Sequence, residues 1–134
     1  MEDQPIILAL DSNPENVKEI QPYVDQIVQK YQIGSDLYGN ILISLTEAIT
    51  NAIVHGNQAD QNKKVFVHSK FDQNLIRVQV QDEGEGFNYE EVPDPTDPMN
   101  ILELNGRGVF LIHQLSDGVT YSNNGSTVEI KFKL

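Results

Sequence analysis

The 134-residue sequence contains no cysteine, and only 9 of its residues are Lys or Arg. The absence of cysteine excludes disulfides, thiolate catalysis and Cys-based metal sites. With 20 Asp and Glu residues, the formal net charge is -11. This charge argues against direct nucleic acid binding, because phosphate backbones are bound by basic surfaces. It suits a basic protein partner, although acidity also serves solubility alone.

Long apolar stretches are missing as well. The N-terminal residues lack the basic region and apolar run of a signal peptide, and no apolar run approaches the roughly 20 residues needed to cross a bilayer. We therefore expect a cytoplasmic protein without a membrane partner. The length and the 39% apolar content suit a single domain, residues 1–134, with one hydrophobic core.

Hydrophobic periodicity predicts the order strand, helix, helix, strand, strand, long loop, helix, strand, strand. The expected strands are 5–10, 65–71, 75–82, 118–122 and 126–134, and the expected helices are 14–31, 35–56 and 106–116. Gly56 is expected to be the C-terminal cap of the second helix. Pro22 conflicts with the first helix and should kink or split it. The long acidic loop, approximately 88–105, is interpreted as a lid. This order predicts a two-layer α/β sandwich: one mixed, largely antiparallel sheet covered on one face by three helices.

Three polar residues, Glu47, Asn51 and His55, recur every fourth residue of the second helix and so form one stripe. Such a stripe is often only a solvated helix face. Here the neighbouring positions are Ile43, Thr50 and Val54 instead of charged residues, which indicates burial. A buried carboxylate can act as a base, and an amide oxygen can bind magnesium.

Two glycine-containing segments accompany the stripe. Asp82 to Phe87 reads Asp-Glu-Gly-Glu-Gly-Phe directly after a strand; it is either a tight turn or a place where the backbone approaches a flat ligand closely. An apolar helix follows the segment Asn105-Gly106-Arg107-Gly108, and the free N–H groups at the start of this helix can bind an anion. A cation in a first helical turn is disfavoured unless an anion pairs with it.

Together these segments resemble a known family. Glu47 to Asn57 resembles the N box of the gyrase, heat-shock chaperone, histidine kinase and MutL (GHKL) superfamily of ATPases. Asp82 to Phe87 resembles its first glycine box, Gly106 to Ile112 its second, and Gly125 to Val128 its terminal Gly-Thr strand. The segment from Asp94 to Gly108 is most similar to the RsbW-type anti-sigma factor serine/threonine kinases.

The resemblance implies a Bergerat fold that binds ATP and Mg²⁺. It implies that Asn51 binds the metal, that Glu47 is the catalytic base, and that Asp82 holds the adenine amino group with Ser126 nearby. Gly84 and Gly86 would shape the adenine pocket, and the phosphates would be closed over by Gly106, Arg107 and Gly108.

The family-implied function is a protein kinase that phosphorylates a serine or threonine of an anti-sigma factor antagonist and sequesters a sigma factor. A homodimer is also implied by the resemblance. Two alternatives stay open. One is a non-catalytic module that uses ATP to grip a partner. The other is a histidine kinase catalytic domain, which is disfavoured because no phospho-acceptor His precedes the N box in residues 13–31.

Overall fold

The structure is a computed structural model that describes residues 4–84 and 104–134, with residues 104–109 and Asn124 described by their backbone alone. Its elements in chain order are β1 (Ile6–Asp11), a 3-10 turn (Pro14–Glu19), α1 (Ile20–Tyr31), α2 (Ser35–Asn51), a π-helical turn (Ala52–Gly56), β2 (Lys64–Asp72), β3 (Leu75–Gln81), α3 (Leu104–Leu115), β4 (Gly118–Ser122), a second 3-10 turn (Asn123–Gly125) and β5 (Thr127–Lys133). This is the order of strands and helices that the sequence predicts.

The five strands form one sheet in the order β1-β2-β3-β5-β4. Every pairing among them is antiparallel, so this sheet contains no parallel pair. β2 and β3 are joined through Gln73 and Asn74, which have φ values of 52° and 63°. Two consecutive left-handed residues are typical of a tight hairpin turn that matches the twist of its strands. The expected two-layer α/β fold with a largely antiparallel sheet is confirmed.

The helices cover one face of the sheet. In β2 the alternation is clear, because Val65 and Val67 are wholly buried whereas Phe66, between them, is 38% exposed. On the open face of the edge strand, Ile7 is 68% exposed. The largest wholly buried side chains come from α1, α2 and the sheet, and include Ile20, Ile27, Ile41, Leu45, Ile49, Ile53, Val65, Val67, Ile76, Ile130 and Phe132. A single core therefore lies between the helices and the inner face of the sheet.

The first helical segment is split, as Pro22 requires. Asn13 caps a 3-10 turn instead of an α-helix, with its Oδ1 accepting from the Glu15 backbone N–H at 3.0 Å. The α-helix begins only at Ile20, which puts Pro22 in its first turn. A proline is tolerated there because the first-turn N–H groups have no partner within the helix.

The helical segment Ser35–Gly56 is 22 residues long with a mean hydropathy of 1.3. By length and composition it could cross a membrane, contrary to our expectation that no segment of this chain would qualify. Core helices of globular domains pass the same test. Here Leu45, Ile49 and Ile53 are wholly buried against the rest of the domain, so packing accounts for the apolar character of this segment.

The Tyr23 hydroxyl links α1 to β1 and β2 at the edge of the sheet. It donates to the Ile6 carbonyl at 2.7 Å and shares a 2.6 Å hydrogen bond with Ser69 Oγ. Burial raises the pKa of Tyr23 to about 12, against a smaller opposing effect of the Ser69 hydrogen bond. Because the folded pKa lies above the unfolded value of 10, the stabilisation is complete below pH 10 and is lost as the pH rises toward 12.

We expect Tyr23→Phe to lower the free energy of unfolding by about 1–2 kcal/mol at neutral pH, since it leaves buried polar groups without a partner. The stability of the variant should also decline less between pH 10 and 12, because the variant lacks the Tyr23 hydroxyl. Urea unfolding across this pH range measures both effects. Tyr38→Phe is the control for the loss at neutral pH, because the bond from the Tyr38 hydroxyl to Asp25 is exposed to solvent. An equal loss in both variants would contradict the assignment.

Candidate functional site

The site begins at the C-terminal end of α2. Glu47 and Asn51 are both half-buried there, one turn apart, so their Cα atoms are separated by about 6 Å along the axis. Directly after Asn51 the helix widens into the π-helical turn, in which the Asn57 backbone N–H donates to the Ala52 carbonyl at 2.9 Å. Such π-turns occur frequently at functional sites. His55, the third residue of the predicted stripe, is exposed.

Gly56 lies where this helix meets the turn that follows β3. The sequence suggested a left-handed helix cap, but Gly125 is the one glycine with positive φ among the described residues. The reason for a glycine is instead close packing, because a Cβ at position 56 would collide with the Asp82 carboxylate. Likewise, a Cβ at Gly84 would collide with the Gly56 carbonyl oxygen. The helix end and the turn therefore meet with no side chain between their backbones.

Asp82 is oriented by bonds on both sides. Its backbone N–H donates to the Ser126 carbonyl at 2.9 Å. Its Oδ1 accepts from the Gly84 N–H at 2.8 Å. No described residue donates a hydrogen bond to Oδ2, which lies against Gly56, and the Asp82 side chain is half-buried. An Asp placed in this way is suited to bind an exocyclic amine.

Ionisation of the half-buried Asp82 carboxyl lowers the stability of the fold. Burial raises the pKa of this carboxyl above its usual 3.8, and the Gly84 N–H and the Lys63 charge lower it by less. Because the pKa of Asp82 is higher in the folded state, folding favours the neutral carboxyl. The stability that the neutral carboxyl contributes at low pH is lost as the pH rises and the carboxyl ionises. A charged carboxylate that costs stability is expected where function requires one.

Asn57 is a residue of this site that our sequence reasoning did not single out. It is wholly buried. Its Nδ2 donates to Ser12 Oγ at 2.8 Å and to the Lys64 carbonyl at 3.0 Å, and its Oδ1 accepts from the Glu83 N–H at 2.8 Å. The available signal was an Asn between the end of a helix and a polar turn, but its partners lie up to 45 residues away.

Ser126 reaches the site mainly through its backbone. Its carbonyl accepts from the Asp82 N–H, as described above. Its hydroxyl donates to the Asn123 carbonyl at 2.8 Å. The hydroxyl proton is therefore engaged, and its lone pairs remain able to accept a hydrogen bond from a ligand or a bridging water.

Some of the predicted site residues lie outside the described part of the chain. Gly86 and most of the expected lid, 88–103, lie outside the described residues. Gly106, Arg107 and Gly108 fall in the first turns of α3, which begins two residues earlier than expected; their side chains are not described. α3 packs against α2. The structure thus brings the α2 stripe, the Asp82–Gly84 turn and Ser126 to one end of the domain, and the roles assigned to these residues stay predictions.

A magnesium ion fits the amide oxygen of Asn51 as part of a site that it shares with substrate phosphates. No cluster of three or more His, Cys, Asp or Glu side chains that could hold a metal occurs within residues 4–84 and 110–134. Mg²⁺ commonly retains several waters and binds through one or two protein oxygens together with substrate phosphates. The half-buried amide of Asn51, one turn from the Glu47 carboxylate, meets that requirement as part of a shared site.

The fold and this site define a class of protein. A family model described as a histidine kinase-like ATPase domain matches residues 10–132, and the chain belongs to this family. The anti-sigma F factor of Geobacillus thermodenitrificans (strain NG80-2) is 30% identical over 122 residues, which cover 86% of this chain and 75% of that protein. The serine-protein kinase RsbW of Staphylococcus aureus (strain MSSA476) is 29% identical over 96 residues, 66% of this chain and 60% of that protein.

A solved structure gives the same fold. The crystal structure of the RsbU and RsbW domains of a Mycobacterium tuberculosis protein superposes with a TM-score of 0.67 at 13% identity, and the match covers 97% of this chain and 31% of that chain. At this identity the likeness concerns the fold alone. The family model and the curated relatives confirm the resemblance to the RsbW-type proteins.

The close packing of the two glycines gives a direct test. We expect Gly84→Ala to lower the free energy of unfolding by about 2 kcal/mol, because the new methyl group must displace the Gly56 backbone. Gly39→Ala is the matched control, since a Cβ there has nothing within 4 Å. In a helix interior it should stabilise the protein by about 0.5–1 kcal/mol. Urea unfolding measures both, and wild-type stability of Gly84→Ala would refute the close contact.

Proposed function

We propose that the protein is an ATP-dependent serine/threonine kinase that phosphorylates an anti-sigma factor antagonist and sequesters a sigma factor. The observation that carries the proposal is the contact of Gly56 with the Asp82–Gly84 turn. This contact fixes the distance between a carboxylate suited to adenine and a helix that bears a base and a metal ligand. The names of the curated relatives supply the partner classes.

In this proposal the adenine end of ATP is bound by the Asp82 turn. A carboxylate oxygen of Asp82 accepts a hydrogen bond from the exocyclic amine, and Gly84 keeps the turn packed against Gly56. The Ser126 hydroxyl accepts a further hydrogen bond, directly or through a water. Binding at this end orients the nucleotide so that its phosphates extend toward Asn51 and the first turns of α3.

The phosphate end is where transfer takes place. Asn51 would hold Mg²⁺, which would supply positive charge for the transferring group. Arg107 and the N–H groups at the start of α3 supply the rest of that charge. Glu47 accepts the proton of the substrate hydroxyl as its oxygen bonds to the γ-phosphorus, and the bond to the bridging oxygen breaks to release ADP.

Two other functions fit the same fold. A non-catalytic module would use ATP only to hold a partner, and the half-buried position of Glu47 beside the proposed metal ligand favours catalysis over this alternative. The catalytic domain of a histidine kinase shares the family, but the curated relatives named above are an anti-sigma factor and a serine-protein kinase. The kinase proposal therefore takes precedence, and its partners place the protein in the cytoplasm.

The decisive experiment combines the protein, Mg-ATP and a candidate antagonist domain. We expect phosphoserine or phosphothreonine on the antagonist, and we expect Glu47→Gln to lower the rate at least about a hundredfold, because general bases contribute on that scale. Glu19→Gln, an exposed change on the 3-10 turn, is the matched control. ATP affinity, measured by calorimetry, should be unchanged in both variants. Full transfer by Glu47→Gln would remove it as the base.

The sigma factor interaction has an electrostatic signature of its own. The chain carries a charge of -11, and sigma factors present basic surfaces to DNA. We expect the affinity for a cognate sigma factor to fall about tenfold or more between 50 and 300 mM salt, because exposed charges are screened. Equilibrium titration at several salt concentrations tests this. An affinity independent of salt would rule out the charge contribution.

A further inference from the structure

Asn57 satisfies nearly all of its hydrogen-bonding capacity inside the domain. A side-chain amide offers two N–H donors and one carbonyl oxygen. Both donors are used, one toward Ser12 Oγ and one toward the Lys64 carbonyl, and the oxygen accepts from the Glu83 N–H. The side chain is wholly buried. It therefore joins β1 and β2 to the turn after β3 from a position just beyond the end of the π-helical turn.

The bond to Glu83 acts on the peptide directly after Asp82. Three consecutive N–H groups of the turn are fixed by hydrogen bonds. The Asp82 N–H donates to the Ser126 carbonyl, the Glu83 N–H to Asn57 Oδ1, and the Gly84 N–H to Asp82 Oδ1. The Glu83 side chain adds a bond of its own, since its Oε2 accepts from the Lys64 N–H at 3.1 Å. Of the three amide bonds, only the Asn57 bond connects the turn to the helix end.

We propose that Asn57 is a positioning residue that sets the nucleobase selectivity of the site. The inference rests on the proposed function and deepens it. Asp82 distinguishes adenine from guanine because a carboxylate accepts from the adenine amine and repels the guanine carbonyl oxygen. This discrimination requires the carboxylate to stay fixed relative to the ring. By holding the Glu83 N–H, Asn57 keeps the Asp82 turn in place against Gly56.

The two sides of the Asn57 amide allow a matched control. The bond to Ser12 stabilises β1 and the loop before β2, where Ser12 Oγ in turn donates to the Lys63 carbonyl at 2.7 Å. Ser12→Ala therefore disturbs the same network on the side away from the Asp82 turn. A merely structural role of Asn57 predicts similar consequences for Ser12→Ala and Asn57→Ala. A positioning role predicts that only Asn57→Ala affects the choice between bases.

The test compares ATP and GTP affinities by calorimetry in the wild-type protein, Asn57→Ala, Asn57→Asp, Ser12→Ala and Asp82→Asn. We expect the preference for ATP over GTP to fall about tenfold in Asn57→Ala, toward the level of Asp82→Asn, since each loses a fixed charged acceptor. Ser12→Ala should keep the wild-type ratio within about twofold. Asn57→Asp retains an acceptor for the Glu83 N–H but loses at least one of the two donors to Ser12 and Lys64, so it should recover part of the preference.

A second measurement does not depend on nucleotide. In amide hydrogen exchange of the full chain, the Glu83 N–H should lose protection in Asn57→Ala and keep it in Ser12→Ala and Asn57→Asp. Unchanged protection at Glu83 in Asn57→Ala, or an unchanged base preference in that variant, overturns the inference while the proposed function stands. Failure of the wild-type protein to bind ATP would overturn the proposed function and, with it, the inference.

Discussion

The contact between the Gly56 backbone and the Asp82–Gly84 turn is the constraint on which the rest of the site depends. No side chain separates Gly84 from the Gly56 carbonyl, so the end of the π-helical turn and the turn after β3 are in close backbone contact. In the described residues, the groups assigned to nucleotide chemistry lie on the helical segment Ser35–Gly56, on the Asp82–Gly84 turn, at Ser126, which bonds to Asp82, and at the start of α3. Movement of either segment would alter the relation between the adenine end and the phosphate end.

Much of this arrangement follows from local sequence. The strands alternate with period two, and α2 shows an almost continuous apolar pattern. Asn13 marks the start of the first helical segment and Pro22 indicates that this segment is split. Glu47, Asn51, Asp82 and Gly84 stand out because their chemistry and spacing are recognisable within a few residues. The family match over residues 10–132 confirms the superfamily that these short motifs indicated.

What the sequence could not supply are the properties set by distant contacts. Gly56 was read as a helix cap because glycine usually has that role at a helix end; only the position of the Asp82 carboxylate explains it. The π-helical turn has no periodicity of its own to detect in five residues. Asn57 bonds to segments before and after it in the chain, so no single sequence window contains its partners. For both Gly56 and Asn57 the deciding neighbour is remote along the chain.

The position of β5 has a consequence for the order in which the domain can assemble. This strand comes last among the described elements, yet it lies between β3 and β4 in the sheet. The β2–β3 hairpin and the α2 contacts are relatively local and can form early, whereas Asp82 obtains its backbone partner only when Ser126 arrives from 44 residues further along the chain. Contacts of such sequence separation are slow to close. The binding end of the sheet is therefore complete only after β5 has paired with β3, so that an incompletely folded chain could have a helix layer but no complete nucleotide pocket.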